Sequence, residues 1–425
     1  MTVDRSSIPG ALEILRERGF IQQISDEAGL TRLMQQPSSL YWGVDPTASS
    51  LQVGNLLSVM LLTHLKRAGH RPVVLVGGGT GLVGDPSFRT TERPLISIEE
   101  IQSNLQGQKV QLSRFMDQTD GQWMMVNNAD WLTKLNYIEF LRDIGKHFTV
   151  NQLLQHETYR DRVINPILSG ATGQYEGLSF IEFNYALLQA YDFLHLYRTE
   201  GCRLQVGGSD QWFNILAGVD LIRRVEGKQA FALVTPLITT SSGQKMGKSA
   251  AGTIWLDPER TSPYEYYQFW INTEDPDVER FLALFTFLPM EQVRELGRLE
   301  GAAINQAKEM LAYEATRLTH GDAAAEEARA SSRALFSGDG EAASAPTTHV
   351  AQTTLAAGME LVDVLTETGL AQSKRAARDL IKQGGAYVNG ERIEQADRRL
   401  TTSDITEGQI LLRAGRKRYH RLAVQ

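Results

Sequence analysis

Residues 45–55, Asp-Pro-Thr-Ala-Ser-Ser-Leu-Gln-Val-Gly-Asn, lie between an extended stretch, Leu40 to Val44, and an apolar run, Leu56 to Leu65. Small hydroxyl and amide side chains of this kind cap a helix start, and Gly54 lets another group approach the backbone closely. The N–H groups at such a start attract phosphate. Farther along, Lys245-Met246-Gly247-Lys248-Ser249 follows a hydroxyl- and glycine-rich approach, Thr239 to Gly243. Two lysines there suit a pyrophosphate that gains charge as it leaves, because cations contribute most where charge develops in the transition state. Alone, such a lysine pair reads as a solvated loop.

Tyr185, Gln189 and Asp192 recur at i, i+4 and i+7 and therefore share one helix face. Their neighbours Phe183, Leu187, Leu188 and Phe193 form no clean opposite stripe, which favours a helix lining a polar pocket. Gly207-Gly208-Ser209-Asp210-Gln211-Trp212 follows a strand end, where ligands sit in open α/β sheets. Gly79 to Gly84 matches G-x-G-x-x-G after a strand, with Glu99 some distance on. The dinucleotide fingerprint needs an apolar helix to begin at once. Here the continuation is a polar loop with Pro86 and Pro94, so that reading fails.

The elements that must position these residues alternate. Leu56 to Ala68 is helical, Pro72 to Gly77 a buried strand, Ile138 to Ile144 and Phe183 to Leu196 helical, and Cys202 to Val206 a strand. Alternation of this kind predicts a parallel sheet with helices on both faces. From Ser262 the pattern is mostly helical, ending in a long run from Met290 to Phe336. At 425 residues the chain is long enough for two or three domains. Cys202 is the only cysteine, which excludes an intrachain disulfide and a multi-cysteine zinc site and fits a reducing cytoplasm. The first ten residues lack a signal-peptide pattern, and no apolar run approaches the roughly 20 residues that span a bilayer.

The net charge of −7 argues against a protein coated in nucleic acid, yet residues 359–425 hold 12 Lys/Arg against 9 Asp/Glu. A basic appendage on an acidic body suits an enzyme that handles a nucleic acid with one part. In this tail Ser373 caps a helix in which Lys374, Arg378 and Lys382 share a face, with Arg375 beside them, while Ala377, Leu380 and Ile381 face inward. Gly384 and Gly385 stop it. Strands at Ala386 to Val388 and Ile410 to Leu412, a turn at Asn389-Gly390 and the cluster Arg416-Lys417-Arg418 complete a small α+β domain. The tail resembles the small RNA-binding module shared with ribosomal small-subunit protein four, in its Ser-Lys-Arg helix start, its Val-Asn-Gly hairpin and its terminal basic strand.

From about residue 40 onward the chain resembles the bacterial and mitochondrial tyrosyl-tRNA synthetases of class I. The stretches that carry the likeness are VDPTASSLQVGN, LVGGGTGLVGDPS, FLRDIGKHF, LLQAYDF, QVGGSDQW, KMGKS and SPYEYYQFWIN. The first and sixth are variants of the two class I signatures, HIGH and KMSKS. The resemblance implies a Rossmann-like parallel-sheet α/β catalytic domain, an α-helical domain and a small α+β RNA-binding domain. We expect boundaries at 1–240, 241–336, a linker at 337–358, and 359–425.

It further implies that Tyr41 and Asp192 bind the phenol of tyrosine. Asp85, Tyr185, Gln189 and Gln211 would hold its ammonium group, with Thr80, Asn128 and Gln205 lining the site. Asp210 would bind the ATP ribose, and Asp45, Gly54, Asn55, Gly208 and Met246 would complete the nucleotide site. Thr47, Gln52, Lys245 and Lys248 would face the phosphates, joined by Arg89 and Arg93. Implied partners are tRNA(Tyr), bound through the tail, L-tyrosine, ATP with magnesium arriving as its complex, and a second copy of the chain. No dedicated metal site is expected.

The chain departs from the pattern at three places. Gln52 stands where the first signature histidine is usual, Trp42 is bulky beside the nucleotide, and Phe213 replaces the glycine that usually follows Gln-Trp. Two other functions compete with tyrosine activation and transfer to tRNA. One is an RNA-binding protein with weak or lost adenylation, for which Gln52 is the argument. The other is a tyrosine-adenylating enzyme with a non-tRNA acceptor.

Overall fold

The computed structural model describes residues 10–87, 97–116, 122–155, 159–163, 177–243, 246–249, 252–337, 345–406, 408–415 and 418–424. The chain divides into two units, 1–326 and 327–425.

The first unit is built on a six-stranded sheet of β1 (Gln23–Ile24), β2 (Ser39–Val44), β3 (Arg71–Val76), β4 (Met124–Asn127), β5 (Cys202–Gly208) and β6 (Phe231–Thr235). Their spatial order is β1-β6-β5-β2-β3-β4, parallel except for the antiparallel edge strand β1. The central strands are apolar because helices cover both faces: Leu40, Tyr41, Val73, Val74, Leu204 and Val206 are all buried. Connections reverse direction between β5 and β2, which leaves a crevice at the carboxyl ends of those strands.

Helix α1 (Val53–Arg67) begins where expected. Asn55 Oδ1 accepts from the Gln52 backbone N–H at 3.1 Å, and the helix buries Val53, Leu56, Leu57 and the run Val59 to Leu65. The glycine-rich motif forms a tight turn at Gly79 to Val83 and residues 84–87 continue without a helix, whereas a dinucleotide fingerprint needs a helix to begin at once; α2 spans Ile98–Phe115. Helices α3 (Tyr185–Glu200) and α4 (Trp212–Glu226) pack on each other and on β5. Tyr41, Val73 and Leu75 meet Ala186, Leu187 and Phe193 in the same cluster.

The helices from α5 (Pro263–Ile271) onward, expected as a domain of their own, belong to the first unit through residue 326. The reason is burial and backbone satisfaction. The Arg18 guanidinium, itself buried, donates to the carbonyls of Ala283 at 2.9 Å and Thr286 at 3.0 Å, closing the end of α6 (Val278–Phe285). The long helical run is also broken, into Met290–Gly297, α7 (Ile304–His320) and Asp322–Ser337, by turns at Gly301 and Gly321, both at positive φ.

In the second unit, β7 (Thr347–Val350), β8 (Ala386–Val388), β9 (Glu391–Arg392), β10 (Gln409–Ala414) and β11 (Arg418–Val424) form a sheet in the order β9-β8-β10-β11-β7. The expected linker 337–358 is corrected here. Thr347–Val350 pairs in parallel with β11, and a helix at Gln352–Ala357 follows, burying Leu355. Its Thr-Thr-His-Val sequence is β-branched and suits a strand, although the surrounding Gly, Ala and Ser suggested a linker. Helices α8 (Leu361–Glu367) and α9 (Lys374–Lys382) cover the apolar face of the sheet. Ser373 Oγ caps α9 by accepting from Ala376 N–H at 3.2 Å. Asn389 and Gly390 both take positive φ, +49° and +86°, the signature of the tight hairpin turn.

Candidate active site

A cavity of about 690 Å³ opens at the carboxyl ends of β2 and β5, where the strand order reverses. Its walls include residues 41–58, the loop after β3, helix α3, residues 205–211 and residues 235–239. Register places the side chains. Tyr41 on β2 pairs with Gln205 on β5, so the two stand side by side on the face that meets α3. Both are almost fully buried, and Tyr41 Oη and Gln205 Oε1 have no hydrogen-bond partner among the described residues. Unpaired buried polar atoms cost free energy unless something bonds to them, so they mark where a ligand's polar group belongs.

Asp192 completes this wall. Asn128 Nδ2 donates to its Oδ2 at 2.8 Å and Trp131 Nε1 donates to its Oδ1 at 2.7 Å. Burial pushes the carboxyl up to about 7 and outweighs the two donors that favour the charged form. Burial, with the nearby Asp192, also raises the Tyr41 phenol above its usual range. Asn128 stands behind the wall: it donates to Thr80 Oγ1 at 2.9 Å and accepts from Gly79 N–H at 2.7 Å. One amide therefore fixes both the glycine-rich turn and the carboxylate. Trp131 is held in turn by stacking on His195, with ring centroids 4.2 Å apart.

Tyr185 and Gln189 line the cavity two turns and one turn before Asp192, as their spacing requires. Gln211 Nε2 donates to Asp85 Oδ2 at 2.8 Å and to Asp210 Oδ2 at 3.1 Å, which brings two carboxylates and an amide to one side of the cavity. Thr47, Gln52, Gly54, Asn55, Asp45, Gly208 and Met246 line the remaining wall.

The two signature segments are stitched together by backbone bonds. Val53 N–H donates to Ile254 O at 3.0 Å, Leu256 N–H to Leu51 O at 2.9 Å, and Ile254 N–H to Gly247 O at 3.0 Å. Gly247 has φ +89°, and a Cβ there would lie 3.1 Å from the Gly54 amide nitrogen. Glycine at 247 thus allows both the left-handed backbone and the close approach.

Lys248 contributes its backbone to a short strand paired with Thr253. Arg89, Arg93, Lys245, Arg416 and Lys417 lie outside the described residues. Trp42 is buried and lines the cavity, as expected. Phe213 does not: it packs with the core behind α3, its ring centroid 6.2 Å from that of Tyr159. Its position at the start of α4 turns it from the cavity toward the apolar cluster. Trp131 escaped the sequence reading, although the polar run Asn127-Asn128 just before it was a usable signal.

In the second unit Arg375, Arg378 and Lys382 are exposed on α9, and Lys374 bonds Asp363 at 2.8 Å while remaining exposed. On the sheet, the Arg413 guanidinium lies over the Tyr387 ring at 3.6 Å.

The model of the class I tRNA synthetases (W and Y) matches residues 33–337, and that of the tyrosine–tRNA ligase SYY-like C-terminal domain matches residues 341–422. The chain is 51% identical over 415 residues to the tyrosine–tRNA ligase of Caldanaerobacter subterraneus, covering 97% of this chain and 99% of that one. It is 45% identical to the tyrosine–tRNA ligase of Clostridium beijerinckii with the same coverage. Among solved structures, a C-terminally truncated mitochondrial tyrosyl-tRNA synthetase of Aspergillus nidulans superposes with a TM-score of 0.68 at 32% identity, over 78% of this chain and 95% of that one. A two-part match that spans both units, with relatives of equal length, leaves one assignment: the chain belongs to the tyrosine–tRNA ligases, within the class I tRNA synthetases.

Proposed function

We propose that this chain activates L-tyrosine with ATP and transfers it to the 3′ end of tRNA(Tyr), using the cavity at the ends of β2 and β5. The observation that carries the reading is the trio Tyr41, Asp192 and Gln205, a buried polar wall with two atoms left unpaired among the described residues. A phenolic hydroxyl fits it as donor and acceptor. A site built to hydrogen-bond a hydroxyl rejects the analogue lacking it, and tyrosine enzymes of this class are the standing illustration of that rule.

Asp85, Tyr185, Gln189 and Gln211 would then face the ammonium group, with Thr80 beside it, and Asp210 the ribose. The tyrosine carboxylate attacks the α-phosphate, the bond to pyrophosphate breaks, and tyrosyl-adenylate forms. No general base is needed, because the carboxylate is already a nucleophile. The protein's part is to position the reactants and to meet charge on the phosphates with Thr47, Gln52, Lys245, Lys248, Arg89 and Arg93. A terminal ribose hydroxyl of the tRNA then attacks the adenylate carbonyl and AMP leaves. Magnesium enters with ATP.

The exposed basic face of α9 and Arg418 supports tRNA contact by the second unit. Exposed Tyr137, Ile138, Val150, Phe180 and Ile181 favour a second copy as partner of the first unit. The one cysteine, Cys202, is buried and free, consistent with a cytoplasmic setting. Tyrosine-dependent exchange of labelled pyrophosphate into ATP tests the first step, and absence of exchange at saturating substrates rejects it. Charging of tRNA by the full chain and by a version ending at Phe336 tests the second. Equal charging by both would remove the tail from the function.

A further inference from the structure

One face of α2 is polar and nevertheless buried. Asn104, Gln108 and Gln111 recur at i, i+4 and i+7, and each is at least nine-tenths buried. Their partners are successive backbone groups of the signature run. Asn104 Nδ2 donates to Pro46 O at 2.9 Å, and Gln108 Nε2 donates to Ala48 O at 3.1 Å. Gln111 Oε1 accepts from Leu51 N–H at 2.8 Å, and its Nε2 donates to Ser50 Oγ at 3.0 Å. Between these rungs Gly107 leaves the space for the run: a Cβ there would lie 2.1 Å from Ser49 O. The rise of the helix thus sets the spacing of carbonyls and amides along residues 46–51.

Ser50 extends the ladder to the second signature. Its hydroxyl donates to Leu51 O at 2.8 Å and accepts both from Gln111 and from Asp257 N–H at 3.2 Å, which fills its hydrogen-bonding capacity. Asp257 follows the extended segment that carries the backbone bonds between residues 254 and 256 and Val53 and Leu51. One turn past Gln111, Arg114 Nη1 donates to Thr319 O at 3.1 Å, so α2 is also anchored on α7.

We infer that Asn104, Gln108 and Gln111 are positioning residues for adenylate formation, holding residues 46–52 in register with the 254–257 segment so that both phosphate-facing signatures keep a fixed separation. A loop free of this ladder has Pro46 O, Ala48 O and Leu51 N–H to satisfy elsewhere, and any slip moves Thr47 and Gln52 together. The inference rests on the assignment of residues 47, 52, 245 and 248 to the phosphates. Because the ladder touches no residue of the Tyr41–Asp192 wall, its loss should act on the reaction step and spare tyrosine binding.

The test compares Gln111→Leu, Asn104→Leu and, as a reference for the phosphate assignment, Thr47→Ala in the full-length protein. Tyrosine dissociation constants are measured without ATP, and rates of tyrosine-dependent pyrophosphate exchange at saturating substrates. For Gln111→Leu we expect the exchange rate to fall about 10- to 100-fold, the scale of a misplacement near 1 Å, with the tyrosine dissociation constant changed less than about twofold. Asn104→Leu, which leaves the Ser50 junction intact, should show a smaller fall of the same kind and covers the case in which Gln111→Leu does not fold. An unchanged exchange rate in both variants overturns the inference, as does an equal loss of tyrosine affinity and rate, which marks a structural role only. If Thr47→Ala alone leaves the rate unchanged, the phosphate assignment fails instead.

Discussion

The indole of Trp131 donates to Asp192 Oδ1 at 2.7 Å, from the side of the carboxylate opposite the Asn128 amide. Both donors favour the charged form, against burial that raises the group to about 7. In its proposed role Asp192 accepts a hydrogen bond from the substrate's phenol, and the ionised carboxylate is much the stronger acceptor, so tyrosine binding should weaken as pH falls through that value. Well below it, the loss approaches tenfold per pH unit. Trp131→Phe removes a donor that holds the group down, and its midpoint should move upward. Tyrosine dissociation constants against pH check both, and a flat profile across one unit either side of the wild-type midpoint contradicts the assignment.

Asp192→Ala should weaken tyrosine more than phenylalanine, because only tyrosine loses a hydrogen bond to a charged acceptor. That difference is about 1.5–3 kcal/mol, or roughly 10- to 150-fold in relative affinity. Equal losses for the two amino acids would remove Asp192 from phenol recognition.

Gly247→Ala places a Cβ on a residue at φ +89° and 3.1 Å from the Gly54 nitrogen. Left-handed backbone costs an alanine about 1–2 kcal/mol, so a roughly tenfold drop in exchange rate follows if the strain is released by moving the loop. Melting temperature should change little, because a loop that shifts to relieve the strain leaves the packing of the sheet as it was. A large loss of stability with normal rate would contradict this.

Gln52 lines the cavity, and in its proposed role it faces the phosphates; Gln52→His places an imidazole there without disturbing the bond from the 52 backbone N–H to Asn55 Oδ1. An imidazole adds a donor that can carry charge. Exchange should rise, most at pH below the imidazole's own titration. No rise would show that Gln52 and its neighbours already supply what the histidine gives elsewhere.

Arg162 and Glu182 form a buried pair, Nη1 to Oε1 at 2.6 Å and Nη2 to Oε2 at 2.9 Å, just ahead of α3. Ser179 Oγ donates to the same carboxylate at 2.9 Å, and Tyr159 Oη donates to Glu182 O at 3.2 Å. Arg162→Met leaves the carboxylate buried without its cation, which costs about 3–5 kcal/mol. Denaturant unfolding should show that loss, and a change below about 1 kcal/mol would mean that the Ser179 bonds suffice.

Local sequence determined many of the elements and the residues that line the cavity. The apolar run after Gln52 could only be a helix, the 72–77 run only a buried strand, and Tyr185, Gln189 and Asp192 share a face because a helix repeats every 3.6 residues. Ser373 and Asn389-Gly390 announced a cap and a turn through groups that act within a few positions of themselves. What lay beyond reach was every contact set by long-range pairing. Trp131 meets Asp192 across 61 residues, and Gln111 meets Ser50 across 61. Thr347–Val350 becomes a strand because β11 offers it an edge, and Phe213 turns from the cavity because an apolar cluster receives it. Such partners are chosen by burial and by the need to satisfy backbone polar groups, which depend on the assembled sheet and not on neighbours in sequence.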